Sequence, residues 1–193
     1  MTAPLRIAIA GLGTVGVGVL KMIRENGALI EARAGRGVEV VAVSARSRDK
    51  DRGVSIDAFD WADDPVAMAA RDDIDVFVEL MGGADGPAKA GTEAALAAGK
   101  DVVTANKAML AVHGHALATA AEDAGRVLRF EAAVAGGIPV IKALTEGLAG
   151  NEITRVMGVM NGTCNYILTR MESAGLPYEE VFAEADALGY LEA

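Results

Sequence analysis

Three glycines near the start of the chain have the spacing that lets a peptide backbone hold a phosphate group. They follow an apolar run, 5–10, and precede a segment with helical periodicity. In this pattern the first glycine permits a tight turn, the second leaves room for phosphates, and the third lets the helix pack on the strand. Amides at the positive end of the helix then bind a dinucleotide pyrophosphate; a turn without a ligand is the alternative. The motif comprises Gly11, Leu12, Gly13, Thr14, Val15 and Gly16.

The residues after the second apolar run, 38–44, bear on which dinucleotide is bound. A carboxylate there would accept hydrogen bonds from the adenine ribose and favour NAD. The chain instead has Arg46, Ser47 and Arg48. A guanidinium beside a hydroxyl suits a 2′-phosphate, and such a charge-assisted contact contributes roughly 1.5–3 kcal/mol. Arg46 therefore predicts a preference for NADP, with NAD also accepted, and solvated loop charges are the alternative.

A lysine follows a short buried run, 101–104, in the sequence Thr104-Ala105-Asn106-Lys107. Ligands of open α/β sheets bind at the carboxyl ends of the strands, where these residues are expected. Lys107 could there hold a carboxylate, polarise a carbonyl or assist a proton transfer. A surface lysine without a partner is the less favoured interpretation.

The segment from Glu131 to Pro139 supports two interpretations. A carboxylate precedes a loop of small residues, and proline stands at a predicted helix start. Such a loop exposes several carbonyls beside one carboxylate, and oxygen ligands suit a hard cation. The same residues also fit a tight turn in which Glu131 accepts hydrogen bonds from backbone amides.

A second turn, Asn161-Gly162, follows an apolar run, 153–159, that predicts a strand. Thr163 is expected to cap the next helix, and small polar groups at this turn to face nicotinamide or substrate.

Cys164 could be a nucleophile, but no nearby histidine supports that, so a buried or helix-cap thiol is favoured. His113 and His115 point to different faces of a helix and are not expected to bind a metal.

The elements that position these residues alternate between strand and helix, which predicts an α/β fold with a parallel sheet and helices on both faces. The segment 46–65 is polar, and we interpret it as a solvated excursion with a poorly defined structure, in which Trp61 packs locally. The first helix is expected to have one apolar face and to stop at Asn26-Gly27. The predicted strands are 5–10, 38–44, 75–81, 101–104 and 127–132, the later helices are 88–98 and 115–124, and the apolar face comprises Val15, Val19, Met22 and Ile23.

Composition excludes several classes of protein. The 193 residues carry a net charge of −9 and no basic run, so nucleic acid is not an expected partner. A single cysteine rules out an intrachain disulfide and fits a reducing cytosol, so we expect a cytoplasmic protein. Neither a signal peptide nor a membrane-spanning stretch is apparent, so no membrane association is expected. The chain is long enough for one domain and part of another.

Taken together, the motifs resemble those of the homoserine dehydrogenase family over residues 5–193. The resemblance rests on Gly-Leu-Gly-Thr-Val-Gly, Thr-Ala-Asn-Lys, the segment 131–139, Asn-Gly-Thr-Cys-Asn-Tyr-Ile-Leu and, at 187–192, Ala-Leu-Gly-Tyr-Leu-Glu. It implies a Rossmann-type NAD(P)-binding domain at 1–132 and the start of an α+β substrate and dimerisation domain at 133–193. It also implies a homodimer and reversible interconversion of L-homoserine and L-aspartate 4-semialdehyde, a step toward threonine, methionine and isoleucine.

The resemblance also implies roles for individual residues. Gly11–Gly16, Arg46, Thr104, Lys107 and Gly189 correspond to the cofactor site, and Lys107 also to the catalytic one. Thr163 and Glu192 correspond to the substrate site, where Glu192 binds the homoserine amino group. Glu131, Val134, Gly136 and Ile138 correspond to a sodium site, the last three through backbone carbonyls.

One departure from the family concerns catalysis. The family's catalytic Asp and Lys follow the Gly-Tyr-x-Glu segment, and this chain stops at Ala193. We therefore expect an N-terminal piece that binds NADPH weakly and turns over poorly or not at all. The alternatives are a semialdehyde dehydrogenase that uses Cys164 and a non-catalytic NADPH-binding module.

Overall fold

A parallel sheet of six strands organises the first part of the chain in the computed structural model, which describes residues 2–158 and 161–190. The spatial order of the strands is β3-β2-β1-β4-β5-β6. Strands β2 and β3 follow β1 on one side of the sheet, and β4, β5 and β6 follow it on the other side. The direction of the strand order therefore reverses between β1 and β4. The strands are β1 Leu5–Ala10, β2 Val38–Ser44, β3 Asp60–Trp61, β4 Val76–Glu79, β5 Asp101–Thr104 and β6 Leu128–Arg129.

The alternation of side chains along β1 shows why this strand lies at the centre. Ala8 and Ala10 join the apolar cluster on one face of the sheet, and Ile7 and Ile9 join the cluster on the other. Successive strand residues point to opposite faces, so a strand that is apolar at every position must be covered on both. The prediction of a doubly covered parallel sheet is confirmed.

The first helix, α1 (Thr14–Ala34), differs from its prediction in face and in length. Gly16 and Leu20 are buried, whereas Val15 and Met22 are about half exposed, so those two were wrongly placed on the inner face. Asn26-Gly27 does not stop the helix, because glycine inside an exposed helix costs only about 1 kcal/mol. The helix ends at Gly35, whose φ of 70° is left-handed.

The remaining helices of this part differ from prediction mainly at their ends. They are α2 Pro65–Ala69, α3 Pro87–Ala97, α4 Lys107–Asp123 and α5 Val140–Lys142, which continues as a π-turn over Ala143–Gly147. Helix α4 begins eight residues before the predicted start because the Asn106 side chain accepts a hydrogen bond from the Met109 amide at 3.0 Å and caps it. The last predicted strand shortens to β6, and Glu131–Ala133 forms a 3₁₀ turn.

The chain divides into two compact units, Met1–Gly147 and Leu148–Ala193. The second contains α6 (Gly162–Ala174) and α7 (Tyr178–Ala187), which pack through Ile167, Val181 and Ala185. The strand predicted from the apolar run is wrong over its described residues, 153–158, which form no regular element. Within the described residues, none of the helices is both long enough and apolar enough to cross a bilayer. The domain boundary at 132/133 stays a prediction.

Candidate functional site

The glycine-rich loop between β1 and α1 leaves one of its faces open. A Cβ atom on Gly11 would lie 2.4 Å from the Leu80 carbonyl oxygen, and one on Gly16 would lie 2.0 Å from the Gly11 oxygen. A Cβ on Gly13 would meet nothing within 4 Å. Gly13 is also the N-cap of α1 and has no side chain to occupy the first amides of the helix. The loop therefore fits a pyrophosphate that approaches Gly13 and the N-terminus of the helix.

A buried carboxylate, Glu79, joins the loop after β4 to the end of β5 at the carboxyl edge of the sheet. Glu79 is fully buried at the end of β4. Its Oε1 accepts hydrogen bonds from the amides of Met81 at 2.7 Å and Gly82 at 3.2 Å. Its Oε2 accepts one from the Thr104 hydroxyl at 2.6 Å. Sequence reasoning missed Glu79; the signal was a lone acidic residue that ends a buried strand directly beside the glycine-rich loop.

The Thr104–Lys107 segment lies at this edge, as predicted from its position after a strand. The Thr104 hydroxyl, besides donating to Glu79, accepts a hydrogen bond from the Asn106 amide at 3.0 Å. Asn106 donates to the Gly83 carbonyl at 2.7 Å. Lys107 is exposed as the first residue of α4, with its side chain on the protein surface. Thr104 is therefore buried and supports Glu79, whereas Lys107 is exposed at the same edge of the sheet.

The segment after β2 is a defined loop held by one arginine. Arg46 and Arg48 are exposed on it. Arg52 donates to the Leu12 carbonyl of the glycine-rich loop at 3.3 Å and to the Lys50 carbonyl at 2.8 Å. The expectation of a poorly defined excursion is wrong in this respect, and the segment also contains β3. Trp61, predicted as a packing anchor, does contact the apolar cluster beside β2.

The Glu131 segment adopts the second of its two interpretations. The Glu131 carboxylate accepts hydrogen bonds from the Ile141 amide at 2.9 Å and the Lys142 amide at 2.8 Å, so it caps α5. The Ile138 carbonyl accepts one from the Val140 amide at 2.8 Å. Val134 and Gly136 lie on the same loop, and the sodium site stays a prediction. Among the described residues, no cluster of three or more His, Cys, Asp or Glu side chains could hold a metal.

The remaining predicted residues belong to the second unit. Asn161, not Thr163, caps α6, because its side chain accepts from the Cys164 amide at 2.8 Å. The Thr163 hydroxyl instead donates to the Tyr190 carbonyl at 2.7 Å. The Cys164 thiol is exposed rather than buried. Gly189 has a φ of 72° just after α7. Glu192 lies outside the described residues.

His113 and His115 both lie on α4. The His113 ring lies 2.8 Å from the Asp85 carboxylate, measured from Nε2 to Oδ1. His115 lies two residues further along α4, where the helix presents a different face.

The parallel sheet, its switch point and the open glycine-rich loop define a Rossmann-type dinucleotide-binding protein. Residues 11–131 match the family model described as homoserine dehydrogenase, NAD binding domain, and residues 139–193 match the model for homoserine dehydrogenase. The chain therefore belongs to the homoserine dehydrogenase family, and its first unit is a domain of the nicotinamide-nucleotide-binding type.

Individual relatives agree with this assignment. The chain is 45% identical to the homoserine dehydrogenase of Neisseria gonorrhoeae over 98% of its own length and 43% of the relative's. It is 47% identical to that of Corynebacterium glutamicum over 97% and 42%, respectively. The chain thus spans less than half the length of these curated relatives.

Solved structures of the family share the fold. A crystal structure of a homoserine dehydrogenase from Thiobacillus denitrificans superposes with a TM-score of 0.84 at 43% identity, over 98% of this chain and 44% of that one. A hyperthermophilic archaeal homoserine dehydrogenase mutant in complex with NADPH gives 0.79 at 28% identity, over 98% and 62%.

Proposed function

We propose that this chain binds NADPH in preference to NADH, and that the protein to which it belongs interconverts L-homoserine and L-aspartate 4-semialdehyde. The observation that carries the proposal is the shape of the glycine-rich loop. Gly11 and Gly16 tolerate no side chain, whereas the space beside Gly13 is open toward the start of α1. Membership of the family and the NADPH complex of a relative support the choice of ligand.

The bound nicotinamide supplies the hydride acceptor for alcohol oxidation and the donor for the reverse reaction. The residues of this chain bind and orient. Amides at the start of α1 would hold the pyrophosphate, and Arg46 would pair with the 2′-phosphate. Lys107, at the carboxyl edge of the sheet, stabilises the negative charge that develops on the carbonyl oxygen. Glu192 holds the ammonium group of homoserine.

Calorimetric titration of the purified chain tests the cofactor proposal. We expect NADPH to bind more tightly than NADH, and Arg46→Ala to remove most of this difference, roughly tenfold or more, while NADH binding stays unchanged. Arg33→Ala, an exposed arginine at the end of α1, is the matched control. Equal binding of both cofactors to the wild-type chain would contradict the proposal.

A second titration separates an enzyme from a cofactor-binding module. With NADPH bound, homoserine should give a further heat if the substrate residues of this chain are functional. Heat from NADPH alone would favour a non-catalytic module. Cys164→Ser should leave both heats unchanged, because the proposed reaction forms no bond to sulfur.

We also propose that the protein is a homodimer, as its family resemblance implies. Light scattering from the full-length protein tests this, and a monomer at micromolar concentration would contradict it.

A further inference from the structure

Arg52 uses most of its hydrogen-bonding capacity on backbone carbonyls. Its Nε donates to Leu12 O at 3.3 Å, and its Nη1 donates to Arg48 O at 3.2 Å and Lys50 O at 2.8 Å. Its Nη2 donates to Ser47 O. The guanidinium carbon also lies 6.0 Å from the centre of the Trp61 ring. A guanidinium has five N–H donors, so four of them are occupied by these contacts.

These contacts join two segments that are distant in sequence. Ser47, Arg48 and Lys50 belong to the loop after β2 that carries Arg46, and Leu12 belongs to the glycine-rich loop. One side chain therefore fixes the arginine-bearing loop against the segment proposed to hold the pyrophosphate. One backbone hydrogen bond, from the Gly11 amide to the Ser44 carbonyl at 2.8 Å, joins the same two regions at the end of β2.

The contact with Leu12 has a direct consequence for the next amide. The peptide group between Leu12 and Gly13 is planar and trans, so its carbonyl and N–H point in opposite directions. A carbonyl held toward Arg52 therefore turns the Gly13 N–H away from Arg52. Since a Cβ on Gly13 would enter open space, the surroundings of this residue leave room for an anion.

We propose that Arg52 is a positioning residue that sets both the affinity of the site for dinucleotides and its preference for NADPH. Arg52 orients the Leu12–Gly13 peptide for the pyrophosphate that NADH and NADPH share. It also holds the backbone of residues 47–50, and with it Arg46, at the 2′-phosphate that only NADPH carries. The part of this inference that concerns cofactors rests on the proposed NADPH binding. The effect of Arg52 on the unliganded loop does not depend on that proposal.

Binding measurements on single and double variants distinguish positioning from direct contact. We expect Arg52→Ala to weaken NADH binding about fivefold and NADPH binding about fiftyfold, because only NADPH loses both effects. In an Arg46→Ala background, Arg52→Ala should weaken both cofactors equally, since the group that it positions is gone. A direct contact between Arg52 and the phosphate would instead lower the NADPH preference by the same factor in both backgrounds, and would overturn the proposal.

Arg52→Lys keeps the charge but lacks the planar donor fork that reaches several carbonyls. It should behave as Arg52→Ala does; full NADPH binding in this variant would show that charge alone suffices and would contradict the proposal. Arg24→Ala, an exposed arginine on α1, is the control and should bind both cofactors normally.

Hydrogen exchange of the unliganded chain provides a readout that is independent of the cofactor. In Arg52→Ala and Arg52→Lys, amide exchange should accelerate in 44–53 and in 11–14, while β4 and α4 stay protected. Unchanged exchange in both segments would overturn the inference even if NADPH binds. If exchange changes as expected but the wild-type chain binds neither cofactor, the proposed function fails and the positioning role of Arg52 in the loop stands.

Discussion

At the scale of single residues, the three glycines of the loop have separable tasks. Gly13→Val should weaken NADPH binding about a hundredfold or more, since its side chain occupies the space left for the phosphates. The melting temperature should stay close to that of the wild type, because a Cβ atom at this position meets no protein atom within 4 Å. Calorimetry and thermal unfolding measure the two effects.

Gly16 provides the opposite case. Gly16→Ala should lower the free energy of unfolding by about 3 kcal/mol, because its Cβ would lie 2.0 Å from the Gly11 oxygen. Gly18→Ala on the same helix is the control, since a Cβ there meets nothing and should stabilise the helix slightly. Normal stability in Gly16→Ala would show that the loop does not pack as described.

Glu79 is the residue whose removal should be most costly at the edge of the sheet. Glu79→Ala leaves the Met81 and Gly82 amides and the Thr104 hydroxyl without their acceptor. We expect a loss of about 3 kcal/mol in urea unfolding. Glu79→Gln should lose less because it keeps one acceptor oxygen. Glu93→Gln, at an exposed position of α3 where Glu93 pairs with Lys89, should lose almost nothing. Equal stability of Glu79→Ala and the wild type would contradict this account.

Glu79 and Arg52 also show why part of the site could not be predicted. The glycine loop could be found because its chemistry depends on local spacing. Glu79 contacts Thr104, 25 residues away, and Arg52 contacts Leu12, 40 residues away. Neither partner leaves a pattern in the neighbouring sequence.

At the scale of secondary-structure elements, an ion pair joins the starts of β1 and β4. The Asp75 carboxylate accepts hydrogen bonds from the Arg6 guanidinium at 2.8 Å and the Arg6 amide at 2.9 Å. Arg6, with a smaller contribution from Arg36, lowers the pKa of Asp75 to about 2. The carboxylate therefore stabilises the fold above its ordinary pKa of 3.8, and this contribution is lost as the pH falls toward 2.

Asp75→Asn tests this pH dependence. Its deficit in unfolding free energy relative to the wild type should be full at about pH 6 and should shrink steadily between about pH 4 and pH 2. Denaturant unfolding at several pH values measures it, with Asp72→Asn, at an exposed position of the same turn, as the control. A deficit independent of pH would show that the charge of Asp75 does not stabilise the fold.

The Glu131 cap leads to a prediction about the helix that follows it. Glu131→Ala should cost about 1 kcal/mol and should accelerate hydrogen exchange in 140–147, because two amides lose their acceptor. Glu146→Ala, an exposed glutamate in the π-turn, is the comparison. If the predicted sodium site exists, sodium should raise the melting temperature of the wild type and potassium should not. Sodium should not raise the melting temperature of Glu131→Ala.

The boundaries of the elements show where local sequence signals fail. The predicted end of α1 at Asn26-Gly27 was wrong. A glycine inside a helix costs less free energy than the helix gains by continuing to Gly35. The run 153–158 is rich in apolar residues and predicted a strand, yet an apolar run becomes a strand only where a partner strand is available.

At the scale of the whole molecule, the two compact units should separate under limited proteolysis. The segment 150–158 has no regular element and is largely exposed, so we expect the first cleavage there. The larger fragment should keep NADPH affinity within about tenfold, because the glycine-rich loop and Arg46 lie in it. Calorimetry on the isolated fragment measures this. A larger loss would assign cofactor contacts to the second unit, as the prediction for Gly189 requires.

The sequence predicted the architecture of the first unit better than that of the second. The strand–helix alternation of the first unit repeats, so each element supports the placement of the next. In its described residues, the second unit has two helices and an irregular segment, and the chain covers only 43% of the length of the Neisseria gonorrhoeae relative.

The central place of β1 has a consequence for biosynthesis. β1 pairs with β2 on one side and with residues 76–79 on the other. At translation speeds of roughly 5–20 residues per second, several seconds pass between the emergence of β1 and that of its second neighbour. During that interval one edge of β1 has no partner strand, so we expect the nascent chain to expose an apolar segment that chaperones can bind.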